Sequence, residues 1–109
     1  MSGNNYKLIE DLAWGDVEIL KEAEKSYGTS WKQRGGIGAF MMLARKWDRL
    51  ENQVKKNNYD VFESALQDQR PEGILDDIRD LRQYLLLVES HCLDLMSDEV
   101  VNQVVDKDG

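Results

Sequence analysis

Apolar residues recur along this chain at helical rather than strand spacing. Leu8, Leu12, Ile19 and Ala23 predict a first helix over 6–27, stopped by Gly28. The stretch 29–38 holds Trp31, Lys32, Arg34 and the cluster Gly35, Gly36 and Gly38, which reads as a loop. Phe40, Leu43, Ala44, Trp47, Leu50 and Val54 predict a second helix over 37–56, ended by Asn57 and Asn58. Val61, Phe62, Ala65 and Leu66 predict a short connecting helix before Pro71 and Gly73. In the third long helix Ile74, Ile78, Leu81, Leu85, Val88 and Cys92 follow one another at steps of four, three, four, three and four. Ser97 and Asp98 read as the cap of a last short helix carrying Val100, Val101, Val104 and Val105, with a polar tail over 106–109. No stretch alternates as a strand would. The economical packing of such elements is an all-α, antiparallel helical bundle.

Composition narrows the class of partner. The 109 residues leave room for one domain, 1–109. The formal charge of −7 excludes a general binder of long nucleic acid or of anionic membranes, because phosphate backbones require a basic face. It leaves open a small nucleotide held locally. A single cysteine, Cys92, forms no internal disulfide, which suits a cytoplasmic setting. No apolar run approaches the roughly 20 residues of a membrane span, and the first residues lack a signal-peptide core. The expectation is a cytoplasmic protein that does not enter membranes.

The chemistry lies in acidic residues on faces that should be apolar. With the second helix centred on Trp47, Glu51 falls about 40° from the centre of the stripe. Asp48 stands on its edge, one turn earlier. On the third helix Asp77 falls about 40° from Leu81, and Asp80 lies along the flank that carries Tyr84. Two helices therefore each present an acidic pair at i, i+3. Burying an unpaired carboxylate costs several kcal/mol, and a hard divalent cation such as Mg²⁺ removes that cost by using the oxygens as ligands. Asp48, Glu51, Asp77 and Asp80 are the candidate metal ligands. The competing account pairs these acids with Arg45, Arg49, Arg79 and Arg82 along solvated faces.

Asp48-Arg49-Leu50-Glu51 and Asp77-Ile78-Arg79-Asp80, with about 25 residues between them, resemble the paired acidic motifs of the all-α nucleoside triphosphate pyrophosphohydrolases. That superfamily includes MazG and the dimeric dUTPases, and its motifs read ExxE and ExxD. Asp48 and Asp77 stand where the family has the longer glutamate. A closer likeness is to the phage nucleotide-modification-associated domain family. It rests on Tyr27-Gly28-x-x-Trp31, on Lys46-Trp47-Asp48-Arg49-Leu50-Glu51, and on Asp77-x-x-Asp80-x-x-x-Tyr84. The resemblance implies a MazG-like bundle completed by oligomerisation as a dimer or higher. It implies a phage or prophage origin, hence a host cytoplasm, and a task in nucleotide metabolism. The reaction it implies is Mg²⁺-dependent (or Mn²⁺-dependent) hydrolysis of a nucleoside triphosphate to the monophosphate and pyrophosphate. Glu51 and Asp77 are the candidate catalytic carboxylates. The alternative is a nucleotide-binding or protein-interaction module of the same fold, without turnover.

Basic and aromatic residues complete the candidate set. Lys32 and Arg34 precede glycines whose backbone N–H groups can receive phosphate, or which simply make a turn. Lys46 and Arg49, beside the first acidic pair, can neutralise a triphosphate or pair with Asp48. Trp31 can stack on a base, and Tyr84 can hydrogen-bond a ligand or pack. Trp47, mid-stripe, reads as core. His91 has no nucleophile arranged around it. Met41, Met42, Leu86 and Leu87 lie off the main stripes and read as contact surface. Circular dichroism should give a helix-dominated spectrum, and a substantial sheet signal would refute both fold and resemblance.

Overall fold

A computed structural model describes residues 3–71 and 73–108, with side chains described as far as Asp98. Among the described residues the chain is all-α: α1 Tyr6–Tyr27, α2 Gly35–Val54, α3 Val61–Gln67 and α4 Ile74–Asp108, with single 3-10 turns at Ser30–Lys32 and Lys55–Asn57. No described helix is long and apolar enough to cross a membrane. Two compact units are distinguished, Met1–Met42 and Leu43–Gly109, with α2 passing from one into the other.

Local chemistry explains the boundaries. Asn5 caps α1 by accepting the Leu8 N–H at 3.1 Å, and Gly28, at φ 57°, ends it by donating to the Glu24 carbonyl. The Asn57-Asn58 stop takes a defined form. Asn58 adopts the left-handed conformation (φ 57°), Tyr59 N–H reaches the Val54 carbonyl at 2.9 Å, and Asn58 N–H reaches Lys55 at 3.2 Å. That crossed pair of bonds satisfies carbonyls a helix end otherwise leaves open. Asp60 then starts α3, its carboxylate accepting from the N–H groups of Phe62 and Glu63, both at 3.0 Å.

Two boundaries differ from expectation. The glycine cluster belongs to α2 rather than to a loop, since the helix begins at Gly35. A methyl group on Gly38 would lie 2.6 Å from Cβ of Arg34, so this glycine clears space for the chain entering the helix. Ser97 and Asp98 cap nothing. With no proline or glycine between Ile74 and Asp108, α4 continues through them. Val100, Val101, Val104 and Val105 ride on this same helix, with their side chains outside the described residues, as is Gly109.

Side-chain burial departs further from the apolar stripes. Among described residues the buried apolar side chains are Ala39 and Ile74, while Asp16, Ser64, Asp77 and Gln83 are buried polar ones. On α2, Leu43, Lys46, Leu50 and Gln53 lie within about 40° of buried Ala39. Trp47 and Phe40 lie some 80–100° away on the same count. Trp47 is accordingly 55% exposed rather than core, and Phe40 67%. On α1 the buried residue is Asp16, four after Leu12 and three before Ile19, and its carboxylate is not without a partner.

Removing the α3 cap tests this local account. Asp60→Ala should destabilise the protein by about 1 kcal/mol in urea denaturation, with unchanged m-value.

Candidate functional site

The site is built on the second unit. Asp77, in the first turn of α4, is 2% exposed. Its carboxylate is shared between two arginines. Arg49, from α2, donates Nε–H to Oδ1 at 2.9 Å, and Arg70, from the loop before α4, donates from Nη2 to Oδ2 at 3.0 Å. Three turns of chain thus meet on one buried charge. A turn further along α4, Lys46 Nζ stands 3.7 Å from Oδ2 of Asp80 and 5.4 Å from the centre of the Tyr84 ring. Both bridges join α2 to α4, so the two stretches singled out in the sequence adjoin each other.

Asp68 holds Arg70 in place. Arg70 grips it with Nε and Nη2 at 3.1 and 2.8 Å, and the Arg70 backbone N–H also donates to it at 3.0 Å. The oxygen that takes Arg70 Nη2, Oδ2, also accepts the Ile74 N–H, so Asp68 caps α4 from six residues away. A side chain on Gly73 would come within 3.3 Å of Asp68 Oδ2, which is why a glycine precedes the helix. The Arg70 hydrogen bonds, side chain first and then backbone, hold Asp68 well below the usual carboxylate range. Asp68, and then Asp77, push the Arg70 guanidinium above its ordinary value. A polar cleft of about 300 Å³ opens beside this loop, lined by Gln53, Lys56, Ser64, Gln67 and Arg70 among others.

The candidate residues divide as follows. Lys46, Arg49, Asp77, Asp80 and Tyr84 are brought together. Glu51 is half-buried and Asp48 exposed, and neither has an ion-pair partner among the described residues. Trp31, Lys32 and Arg34 belong to the first unit, where Lys32 Nζ lies 5.9 Å from the Trp31 ring. Arg34 is exposed. Pairing of acids with arginines, the competing account, is what the structure describes for Asp77 with Arg49 and for Asp76 with Arg79 at 3.1 Å.

As arranged, Asp77 is not open to a Mg²⁺ ion. Both Asp77 oxygens point at guanidinium groups, and among the described residues no group of three or more acidic, histidine or cysteine side chains is gathered as metal ligands need to be. A cation bound at Asp77 would have to displace Arg49 and Arg70.

Asp68 and Arg70 escaped the sequence reading because they lie in a loop, outside any helical period. The available signal was an Asp-x-Arg-Pro turn just ahead of a strong amphipathic helix. No protein-family model matches this chain, and no curated protein or solved structure is significantly similar to it.

Acid titration tests the network. Asp68 has a folded pKa below its unfolded value of about 3.9. Its contribution to stability is therefore complete above that pH and is lost as pH falls through the depressed folded value. Asp68→Asn should lower the melting temperature at pH 7. The gap from wild type should narrow steadily between about pH 4 and pH 2, as wild type loses what the variant already lacks. A gap independent of pH would show that the Asp68 charge is not what holds the loop.

Proposed function

We propose that this chain is a MazG-like nucleotide-handling protein of phage or prophage nucleotide metabolism, taking the phosphates of a nucleoside triphosphate where α2 meets α4. One observation carries the reading. The two motif-bearing stretches are tied to each other by Arg49–Asp77 and Lys46–Asp80, with Arg70 a third cation at the same place. Guanidinium groups suit phosphate oxygens as well as carboxylates, and a triphosphate brings several acceptors to compete for them. Arg49 is half-exposed in its side chain (49%), and Arg70 also lines the adjacent cleft, so ligand can approach both. In this reading Asp77 and Asp80 are the resting counter-charges of a phosphate-binding cluster.

Turnover is the more demanding form of the proposal. Mg²⁺-dependent release of pyrophosphate draws its support from the two acidic motifs and from Asp48 and Glu51, whose carboxylates make no ion pair among the described residues. The arginine pairs of Asp77 weigh against it. A second reading, a protein-interaction module of the same fold, draws on the apolar side chains exposed along every long helix.

A panel of dNTPs and NTPs separates the readings. Calorimetric binding together with pyrophosphate release only when Mg²⁺ or Mn²⁺ is added would support the hydrolase form. Release should then fall at least tenfold in Glu51→Gln. Binding without release, weakened tenfold or more by Arg49→Ala, would support a nucleotide-binding module. If no nucleotide binds at millimolar concentration, with or without metal, the nucleotide reading fails and the interaction module stands.

A further inference from the structure

The cleft beside the Arg70 loop lies wholly within the second unit. Gln53 borders it from the last turn of α2, Lys56 and Asn57 from the 3-10 turn, Ser64 and Gln67 from α3, and Arg70 from the loop before α4. Its volume, about 300 Å³, matches roughly ten water molecules and stands at the lower end of ligand pockets. Most such pockets are largely apolar, with a few polar groups. Here, among the described residues, no aromatic or aliphatic side chain lines the walls. The ligand that suits it is small and polar throughout.

Local bonds fix these walls yet leave much of their hydrogen-bonding capacity unspent. Asn57 donates to the hydroxyl of buried Ser64 at 3.2 Å, and Ser64 donates to the Asp60 carbonyl at 2.7 Å, which ties the turn to α3. Lys56 Nζ donates to the Gln53 amide oxygen at 3.1 Å. That bond uses one of the three ammonium N–H groups and none of the Gln53 amide donors. Arg70 spends Nε and Nη2 on Asp68 and Asp77, which leaves Nη1. The charges resolve to a surplus cation. Arg49 and Arg70 offset Asp68 and Asp77, whereas Lys56 makes no ion pair among the described residues. Glu63, which accepts from Gln67, does not line the cleft.

We propose that this cleft binds a sugar phosphate: a small phosphate monoester whose body carries hydroxyl groups and no base. Nη2 of Arg70 gives both its N–H groups to Asp68 and Asp77, so Arg70 has no fork left with which to grip a carboxylate. Single donors from separate elements remain, namely the Lys56 ammonium, the Gln53 amide and Arg70 Nη1. They suit the tetrahedral spread of phosphate oxygens, with Lys56 as the point charge. The amides of Asn57, Gln67 and Gln69 both donate and accept, as a hydroxyl requires of its partner. A nucleobase binds best where an aromatic side chain gives it a face to stack on, and this lining offers none. The inference stands apart from the nucleotide reading, with which it shares only Arg70.

Calorimetry on the full chain, with ribose 5-phosphate as the probe, tests the proposal. The probe should bind at millimolar concentration or below, at least tenfold more tightly than inorganic phosphate, ribose or ribonate. No binding at millimolar concentration would overturn it. Ribonate carries a similar body on a carboxylate, so equal affinity for ribonate would overturn the phosphate assignment, and equal affinity for inorganic phosphate would overturn the sugar. Lys56→Gln should weaken the probe at least tenfold while leaving any nucleotide binding that depends on Arg49 as it is in wild type. An unchanged affinity in Lys56→Gln would place the probe elsewhere and refute the site. Lys56 is exposed, so this variant should melt as wild type does. If it melts lower, backbone amide NMR shifts of the wild-type chain decide. Ribose 5-phosphate should move Gln53, Asn57, Ser64 and Gln69, and shifts confined to other residues would overturn the proposal.

Discussion

The second unit depends on neutralising one buried charge. An ionised carboxylate removed from water costs several kcal/mol unless it is paired and hydrogen-bonded, and Asp77 is almost wholly removed. Two guanidinium groups meet it, and each brings a different part of the chain with it. Arg49 ties α2 to the start of α4. Arg70 ties down the loop from α3, and it is itself gripped by Asp68, which in turn caps α4. Charge, loop and helix start are therefore one unit, and none of them is arranged without the others.

Such a network orients elements more than it stabilises them. A buried ion pair roughly offsets its own desolvation, so it settles which helix lies beside which at little net gain. Apolar burial has to supply the stability, yet within the described residues only Ala39 and Ile74 are buried apolar side chains. The leucines, tryptophans and methionines that would make a core lie at least partly in solvent. Among the described residues the charges at 16 and 77 are turned inward while many large apolar side chains stay exposed. The same arrangement gathers Lys46, Arg49 and Arg70 at the α2–α4 junction.

The local elements were largely legible in the sequence. Helical spacing defined α1, α3 and the start of α4, and Gly28 and Asn57-Asn58 marked ends through their own backbone preferences. These are interactions between residues close in the chain, so composition and spacing record them directly. The acids at 48, 51, 77 and 80 stood out for the same reason, as charges out of place on a wheel. The uninterrupted run of α4 was not read from the sequence, although no proline or glycine lies between Ile74 and Asp108. Ser97 and Asp98 suggested a break only because cap residues also occur inside helices.

Which face turned inward was decided by tertiary structure alone. The wheel centred α2 on Trp47, but the helix turns Lys46 and Gln53 inward with Leu43 and Leu50, because Lys46 reaches Asp80 and Tyr84 across the gap. Asp77 was placed toward the core by its period, yet its partner Arg70 sits in a loop with no period to read. A hydrophobic stripe records that a face will be covered without recording by what. When the inward position goes to a charge with partners elsewhere in the chain, spacing alone misplaces the centre of the buried face. Sequence alone determined the helices and the misplaced acids. The pairing of Asp77 with two arginines and of Asp80 with Lys46 came only from bringing distant segments together, where desolvation and Coulomb attraction outweigh local pattern.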